Sequence, residues 1–296
     1  MKNNSEEQNN SGRSYNYSTP TVFKDISNPT DLIRYLCDDT RRLSNSGYIY
    51  HYTTLSSAIK IIRNEKWHLA NAKYMNDTLE YQNGDKARWP NIFFSSFMTE
   101  EKESIGMWSM YAQPWEQGVK ISIPSNIARN WIHGIKEVEE ISISDYAPTG
   151  RKVQLDNGQI NLASVVYSNT DSLTKMDVPE KLCWSNVVNT NLRNAAHMKE
   201  LTGYVKDMAW SYEKEIRIRV EFNNKDGFER VSINLPDKVI ESMTITASPL
   251  FEGDLLSELQ KETERQLSID DSLFKRRLNI KTICQTCKFK QEGKLG

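Results

Sequence analysis

The sequence predicts a mixed α+β fold, with mostly antiparallel central sheets and flanking helices. Three observations carry this. Short runs rich in Ile, Val, Phe and Tyr recur along the chain, each bounded by turn residues. Helical periods fall between them without the regular strand–helix–strand rhythm of a doubly wound parallel sheet. With 296 residues, 38% of them hydrophobic, the chain can bury a full core without a disulfide or metal staple.

Residues 1–20 are rich in Asn, Ser, Glu and Gln. They cannot bury enough apolar area to offset their ordering entropy and read as a disordered tail. Residues 21–285 read as one α+β domain and 286–296 as a basic C-terminal tail. A turn at Asn28-Pro29 opens a helix over 31–43, with Leu32, Ile33, Leu36 and Leu43 on one face. Residues 47–53 form an aromatic strand, and Thr54, Ser56 and Ser57 supply cap oxygens for the helix that follows. Strands are expected at 67–70 and 91–97, the second apolar enough to be central. A short helix is expected at 105–111, a strand at 118–123 and a helix at 125–131. Further strands are read at 140–144 and 162–167, with a hairpin-like stretch between them around Pro148-Thr149-Gly150 and Asp156-Asn157-Gly158. Residues 186–208 have helical period, 212–222 is a strand, 239–246 another, 253–267 a helix and 278–283 a last strand.

Bulk properties narrow the classes. The formal net charge of −1 provides no global field that would drive the chain onto DNA or a membrane. Four Cys do not make the framework of a small secreted domain. The N-terminus has no apolar signal segment, and no stretch approaches 18 consecutive apolar residues, so a cytoplasmic protein without a membrane span is expected. Phosphate-loop, dinucleotide-fingerprint, zincin and nucleophile-elbow motifs are absent, and four His make a three-His metal centre improbable. No metal is expected.

Five constellations remain. His51-Tyr52-Thr53 ends a strand just before a capped helix. The Thr53 hydroxyl lies on the same side as His51, a pairing suited to a ribose diol or a carboxamide. The ordinary alternative is a strand His satisfied by a backbone carbonyl. Ser95-Ser96 places two hydroxyls in an apolar strand, where they must find partners. Glu213-Lys214-Glu215 opens a strand whose Glu215, Arg217 and Arg219 share one face, with Ile216, Ile218 and Val220 on the other. Close carboxylates push one pKa up and divide into a proton acceptor and an anchor, unless Arg217 neutralises Glu215. Met107-Trp108-Ser109-Met110-Tyr111 is either core or an aromatic wall for a base or nicotinamide. Cys284 and Cys287 lack a second half-site for zinc. Around them, residues 275–294 hold seven basic residues against one acidic, a run able to contact phosphates.

The order of these pieces resembles a bacterial family known as domain of unknown function 2971. The residues that carry the resemblance are Tyr50-His51-Tyr52-Thr53-Thr54-Leu55, Asn76-Asp77 with Glu80, Phe94-Ser95, Met107-Trp108 with Tyr111 and Gly118, and Lys206, Trp210, Glu213, Glu215 and Arg217. The similarity runs over about residues 47–285. A looser likeness is to ADP-ribosyltransferase folds. It implies NAD as a substrate, with His51, Tyr52, Thr53, Ser95, Ser96, Trp108, Tyr111 and Arg217 binding it. It implies Glu215, Glu213 and His51 as catalytic residues. Glu215 would hydrogen-bond the nicotinamide ribose and stabilise an oxocarbenium-like transition state, and Glu213 would position the acceptor. The middle motif departs from the pattern: Ser95-Ser96, Tyr74 or Tyr111 would fill it, and none is a clear nicotinamide-stacking residue. The likeness implies a toxin or anti-phage effector that modifies a macromolecular acceptor, with RNA or DNA reached through residues 275–294, and an antitoxin or defence partner. The alternatives are a metal-independent nuclease or phosphodiesterase using His51 and Glu215 as base and acid, and a non-enzymatic nucleotide- or partner-binding sensor.

Overall fold

A computed structural model of the chain describes residues 47–75, 89–142, 144, 148–156, 159–168, 203, 205–222 and 227–275. The expected tail at 1–20, the helix at 31–43, most of the helical stretch at 186–208, Asn76, Asp77 and Glu80 lie outside the described residues, as do the strand at 278–283, Cys284, Cys287 and the C-terminal tail.

Strand β1 (Tyr48–Thr54) runs directly into helix α1 (Leu55–Asn64) and then β2 (Lys66–Asn71). Thr54 ends the strand and caps the helix, its hydroxyl accepting from the Ser57 amide. Leu55, Ala58, Ile61 and Ile62 form the stripe that α1 buries. Next come β3 (Ile92–Met98), α2 (Ile105–Tyr111), β4 (Gly118–Pro124), α3 (Ser125–Gly134), β5 (Glu137–Ile141), β6 (Pro148–Gln154) and β7 (Ile160–Ser164). The described chain then continues with β8 (Val166–Ser168), β9 (Val205–Asp207), β10 (Glu215–Glu221), β11 (Arg230–Asn234), α4 (Asp237–Glu241), β12 (Thr244–Ala247), α5 (Leu255–Thr263) and β13 (Ser268–Asp271).

Among the described residues, eleven strands join in one sheet along the path β13-β12-β4-β1-β3-β2-β11-β5-β6, with β10 and β7 branching from β3. Every pairing in it is antiparallel except β12 with β13. β8 and β9 form a separate parallel pair. The branch positions the site. One edge of β3 pairs along its whole length with β10, from Ile92↔Glu221 to Met98↔Glu215. The other edge is shared: β1 meets it at Tyr50↔Met98, and β2 at Ala70↔Phe94 and Asn71↔Phe93. Between those contacts the sheet splits, leaving Ser95, Ser96 and Phe97 facing the opening.

Pairing register fixes the two faces. Ile49, Ile121, Ile216, Ile218, Val220, Phe93 and Phe97 belong to the main core, which α1, α3, α4 and α5 cover with residues such as Ile62, Ile132, Ile240 and Leu259. Tyr50, Tyr52 and Met98 lie on the opposite face and pack with Met107 and Trp108 of α2 and with Trp115.

The structure differs from the sequence expectation in several places. Residues 205–207, read as the end of a helical stretch, are strand β9, and Ser268–Asp271 is a strand that the sequence reading did not include. Residues 148–154 are a strand rather than a turn. Pro148 takes its first position, on an edge of the sheet opposite Ile141, where a missing N–H is tolerated. The strand expected at 162–167 is broken, since Ile160–Ser164 pairs with β10 while Val166–Ser168 joins β9. The strand expected at 239–246 starts as helix, because Pro236 and Asp237 open a helical turn over Asp237–Glu241 before β12. Residues 208–213 are a 3-10 turn, and Lys214 in the left-handed region (φ 46°) leads into a strand that begins at Glu215. Glu213 and Glu215 therefore are not consecutive same-face positions of one strand.

Candidate active site

The opening between β1 and β2 forms a cavity of about 520 Å³. Residues from both sheet faces line it, including His51, Thr53, Trp67, Ser95 and Ser96. Ser95 is buried, so its hydroxyl must find a partner. The Ser95 hydroxyl accepts the Trp67 indole N–H at 2.8 Å. The Ser96 side chain lies on the same face as Glu215, whose rung is two residues along the β3–β10 pairing, and its hydroxyl helps to lower the Glu215 pKa. The Ser96 carbonyl, on the side of β3 left open by the split, accepts Nδ1–H of His51 at 2.9 Å.

That bond fixes the ring chemistry of His51. With Nδ1–H donating, Nε2 is the acceptor of a neutral imidazole. Burial pushes the ring below its ordinary 6.5, against the Ser96 bond that works to raise it. The ring is wedged at 5.2 Å from the Trp67 ring and 5.4 Å from the Phe97 ring. A fixed, neutral acceptor beside the Thr53 hydroxyl suits a diol or an amide.

The second half of the site lies on the other face of β3 and β10. Glu215, only 5% exposed, receives Arg217 Nε–H at 2.6 Å and Arg217 Nη2–H at 3.0 Å, a two-pronged ion pair. Lys206 Nζ lies 3.2 Å from Glu215 and 2.5 Å from Glu213. Tyr111 donates its hydroxyl to the other Glu213 oxygen. Arg217 also donates to the Gly203 carbonyl at 2.7 Å and stacks over Phe94, with its guanidinium carbon 4.7 Å from the ring centre. The Glu215 backbone N–H is held by the Tyr167 hydroxyl at 2.8 Å.

Magnitudes decide how this cluster titrates. Burial alone would raise Glu215, but Arg217, Lys206 and the hydrogen bonds from Arg217 and Ser96 outweigh it and bring the carboxyl down to about 2. The sequence expectation that paired carboxylates would push one pKa up is overturned for Glu215, because two cations stand against the pair. Burial also works against the Lys206 charge, yet Glu215 and Glu213 hold the ammonium above its ordinary 10.5. Burial, and next the bond to Glu213, push the Tyr111 hydroxyl up, so it stays a donor.

The predicted residues thus sort into two groups. His51, Thr53, Ser95 and Ser96 come together in the cavity. Glu213, Glu215, Arg217 and Tyr111 come together in the ion network. Tyr52 and Trp108 join neither: they pack edge to face at 4.8 Å in the smaller core cluster. Tyr74 lies at the cavity, with its hydroxyl donated to Glu229. Lys206 and Trp67 complete the two groups and were not among the expected site residues. Trp67 was visible only as a strand residue. Lys206 stood in the family pattern, and nothing local marked it as a partner of the carboxylates.

Residues 107–218 match a family model described as protein of unknown function (DUF2971). The chain resembles this family. The DUF2971 match is shorter than the span expected from the motifs. It takes in Trp108, Tyr111, Lys206, Glu213, Glu215 and Arg217 and leaves out His51 and Thr53. Among curated proteins, none matches the chain. Two solved structures of DarT from Thermus sp. 2.9 are similar. The complex with carba-NAD+ has 11% identity and a TM-score of 0.31, covering 76% of this chain and 95% of DarT. The complex with NAD+ has 12% identity and a TM-score of 0.32, covering 77% and 96%.

Among the described residues there is no group of His, Cys, Asp and Glu arranged to hold a metal ion. No helix among them is long and apolar enough to cross a membrane.

Proposed function

We propose that the chain is an ADP-ribosyltransferase-like enzyme that uses NAD as its substrate. The observation that carries this reading is the continuous line from His51 through Ser96 to Glu215. His51 is anchored on the Ser96 carbonyl at the cavity wall, and the Ser96 hydroxyl, on the other face of β3, helps to hold the buried Glu215 carboxylate ionised.

The chemistry asks little beyond this. Breaking the C–N glycosidic bond of NAD returns the bonding pair to the pyridinium nitrogen, so nicotinamide leaves neutral and no general acid is needed. Positive charge develops on the ribosyl carbon and ring oxygen. A carboxylate that stays ionised at neutral pH stabilises that charge, and Glu215 is held in this form by Arg217 and Lys206. The neutral His51 ring and the Thr53 hydroxyl grip sugar hydroxyls or the carboxamide. Glu213, already accepting from Tyr111, takes the proton of an incoming acceptor hydroxyl or amine. The acceptor in this reading is a macromolecule. RNA or DNA suits the basic run over 275–294, of which Lys275 is the described member. An effector of this kind calls for a cytoplasmic setting, a toxin or anti-phage role and a neutralising partner.

Nicotinamide release from NAD by the purified chain tests the reading. Wild type is expected to release nicotinamide, and Ser96→Ala and His51→Ala to lose most of that activity while remaining folded. Undiminished release in both variants would sink the proposal.

One observation favours a second reading, a nucleotide-binding module without turnover. Glu215 is clamped by both prongs of Arg217 and does not itself line the cavity. Tight ADP-ribose binding with no nicotinamide release under any acceptor condition would select that reading.

A further inference from the structure

The proposed reaction leaves one aromatic side chain at the cavity without a role. β2 ends at Asn71, whose side-chain oxygen accepts the Lys73 amide at 3.0 Å and opens a 3-10 turn over Ala72–Tyr74. The Asn71 side chain also donates to the Pro90 carbonyl at 2.8 Å. Ala72 is buried with Trp89, Ile92 and Phe94, and Met75 packs against that cluster, so the turn is held on both sides of Tyr74. Tyr74 itself stays 54% exposed. Among the described large apolar side chains left exposed, it is the one that lines the cavity. Its ring is held in place. The hydroxyl is donated to Glu229, Lys73 Nζ pairs with the same carboxylate at 2.5 Å, and that ammonium lies 4.9 Å from the ring centre. Met75 and Phe94 add apolar surface to the cavity. His51 is anchored farther along the split in the sheet. Its partner, Ser96, is two residues along β3 from Phe94, which pairs with Ala70 of β2. Two strand residues span about 7 Å, and the turn that carries Tyr74 begins beyond that rung, about one nucleoside from the sugar grip.

We propose that the Tyr74 ring is the wall of this cavity on which a heteroaromatic base stacks. The inference rests on the nucleotide reading of the cavity and gives the ligand a direction. The sugar lies against His51 and Thr53, and the base lies against Tyr74. Stacking tolerates different bases because each offers a π-face, and nicotinamide and adenine share this chemistry. The contacts with Glu229 and Lys73 fix the ring before a ligand arrives, so little rotamer freedom is lost on binding. Because the side chain is exposed, replacing it leaves the core untouched.

Calorimetry on the full chain tests this with three probes: NAD, ADP-ribose and ribose 5-phosphate. Tyr74→Ala is expected to weaken NAD about tenfold and to leave the base-free ribose 5-phosphate unchanged. Tyr74→Trp should retain NAD affinity. Tyr74→Phe, which keeps the ring without its bond to Glu229, should lose no more than about threefold. An equal loss of ADP-ribose affinity in Tyr74→Ala puts adenine on the ring, and undiminished ADP-ribose affinity puts nicotinamide there. Wild-type NAD affinity in Tyr74→Ala would overturn the stacking wall while leaving the nucleotide reading standing. So would a loss in Tyr74→Phe as large as in Tyr74→Ala, since the hydroxyl would then be the contact. NAD binding that depends on Tyr74, without nicotinamide release, would keep the wall and remove the enzymatic reading. Failure of wild type to bind NAD or ADP-ribose overturns the proposal outright.

Discussion

Replacing Glu215 with Gln removes one charge from a buried network and leaves the backbone and volume almost unchanged. The carboxyl ordinarily titrates at 4.5 and is held at about 2 in the fold. Each tenfold in proton affinity is worth about 1.4 kcal/mol, so the ionised group contributes about 3 kcal/mol to stability at pH 7. Gln also leaves Lys206 with Glu213 as its one carboxylate partner among the described residues, and takes the two-pronged pair from Arg217. Breaking a buried pair in this way costs about 3–5 kcal/mol, and that is the expected loss for Glu215→Gln at pH 7. The sign of the pH dependence follows from the depressed value. The contribution is complete above 4.5 and disappears as pH falls towards 2, so by pH 3 about 1 kcal/mol of it remains. Urea unfolding of wild type and Glu215→Gln, followed by tryptophan fluorescence at pH 7 and pH 3, measures both quantities. The gap between the two proteins should narrow by about 2 kcal/mol at the lower pH. A gap below about 1 kcal/mol at pH 7, or one that does not narrow, would refute the assignment of Glu215 as an ionised, cation-held carboxylate. It also follows that lost activity in Glu215→Gln means something only at a temperature where the variant is shown to be folded.

Other consequences are equally direct. ADP-ribose affinity, measured by calorimetry, should be lost in His51→Ala; the contribution of His51 itself should stay flat from pH 8 to pH 6.5, because burial keeps its ring neutral below the ordinary 6.5. His68 is held down to about 4, so folding should weaken as pH falls from 6.5 to 4, and His68→Gln should remove that part of the acid sensitivity in urea titrations. Gly203→Ala should lower the thermal midpoint, with a cost of about 2 kcal/mol, because φ is +84° and a Cβ would stand 2.4 Å from Cζ of Phe94, the ring beneath Arg217. Trp67→Phe should cost about 1–3 kcal/mol in the same assay, since the Ser95 hydroxyl loses its donor inside the wall of the cavity.

What the sequence made legible, and what it did not, turns on register. Alternation along residues 215–221 correctly separates Ile216, Ile218 and Val220 from Glu215, Arg217 and Arg219. It cannot tell whether the charged side is solvated. Charge alternation ordinarily marks a solvated face, yet β10 is sandwiched between β3 and β7, and Arg217 is 0% exposed. The partners that make this tolerable come from afar in the chain: Lys206, Tyr167, the Gly203 carbonyl and Phe94. No local pattern announces them. The same limit applies to the expected union of His51 with Glu215. Period two fixes faces within a strand but not between strands. The rungs Tyr50↔Met98 and Met98↔Glu215 put Glu215 on the face of Tyr50, and therefore opposite His51. The two residues are joined only because the sheet splits beside Ser96. There one residue gives its carbonyl to the opening and its side chain to the far face. In the sequence Ser96 is only one of two hydroxyls in an apolar strand that must find partners. Its position at the branch of the sheet makes it the joint between a nucleotide-sized cavity and a buried carboxylate. Ser96→Ala, which removes one hydroxyl and leaves the His51 bond to the backbone intact, is therefore the sharpest separation of binding from turnover. ADP-ribose binding should survive it, and nicotinamide release should not.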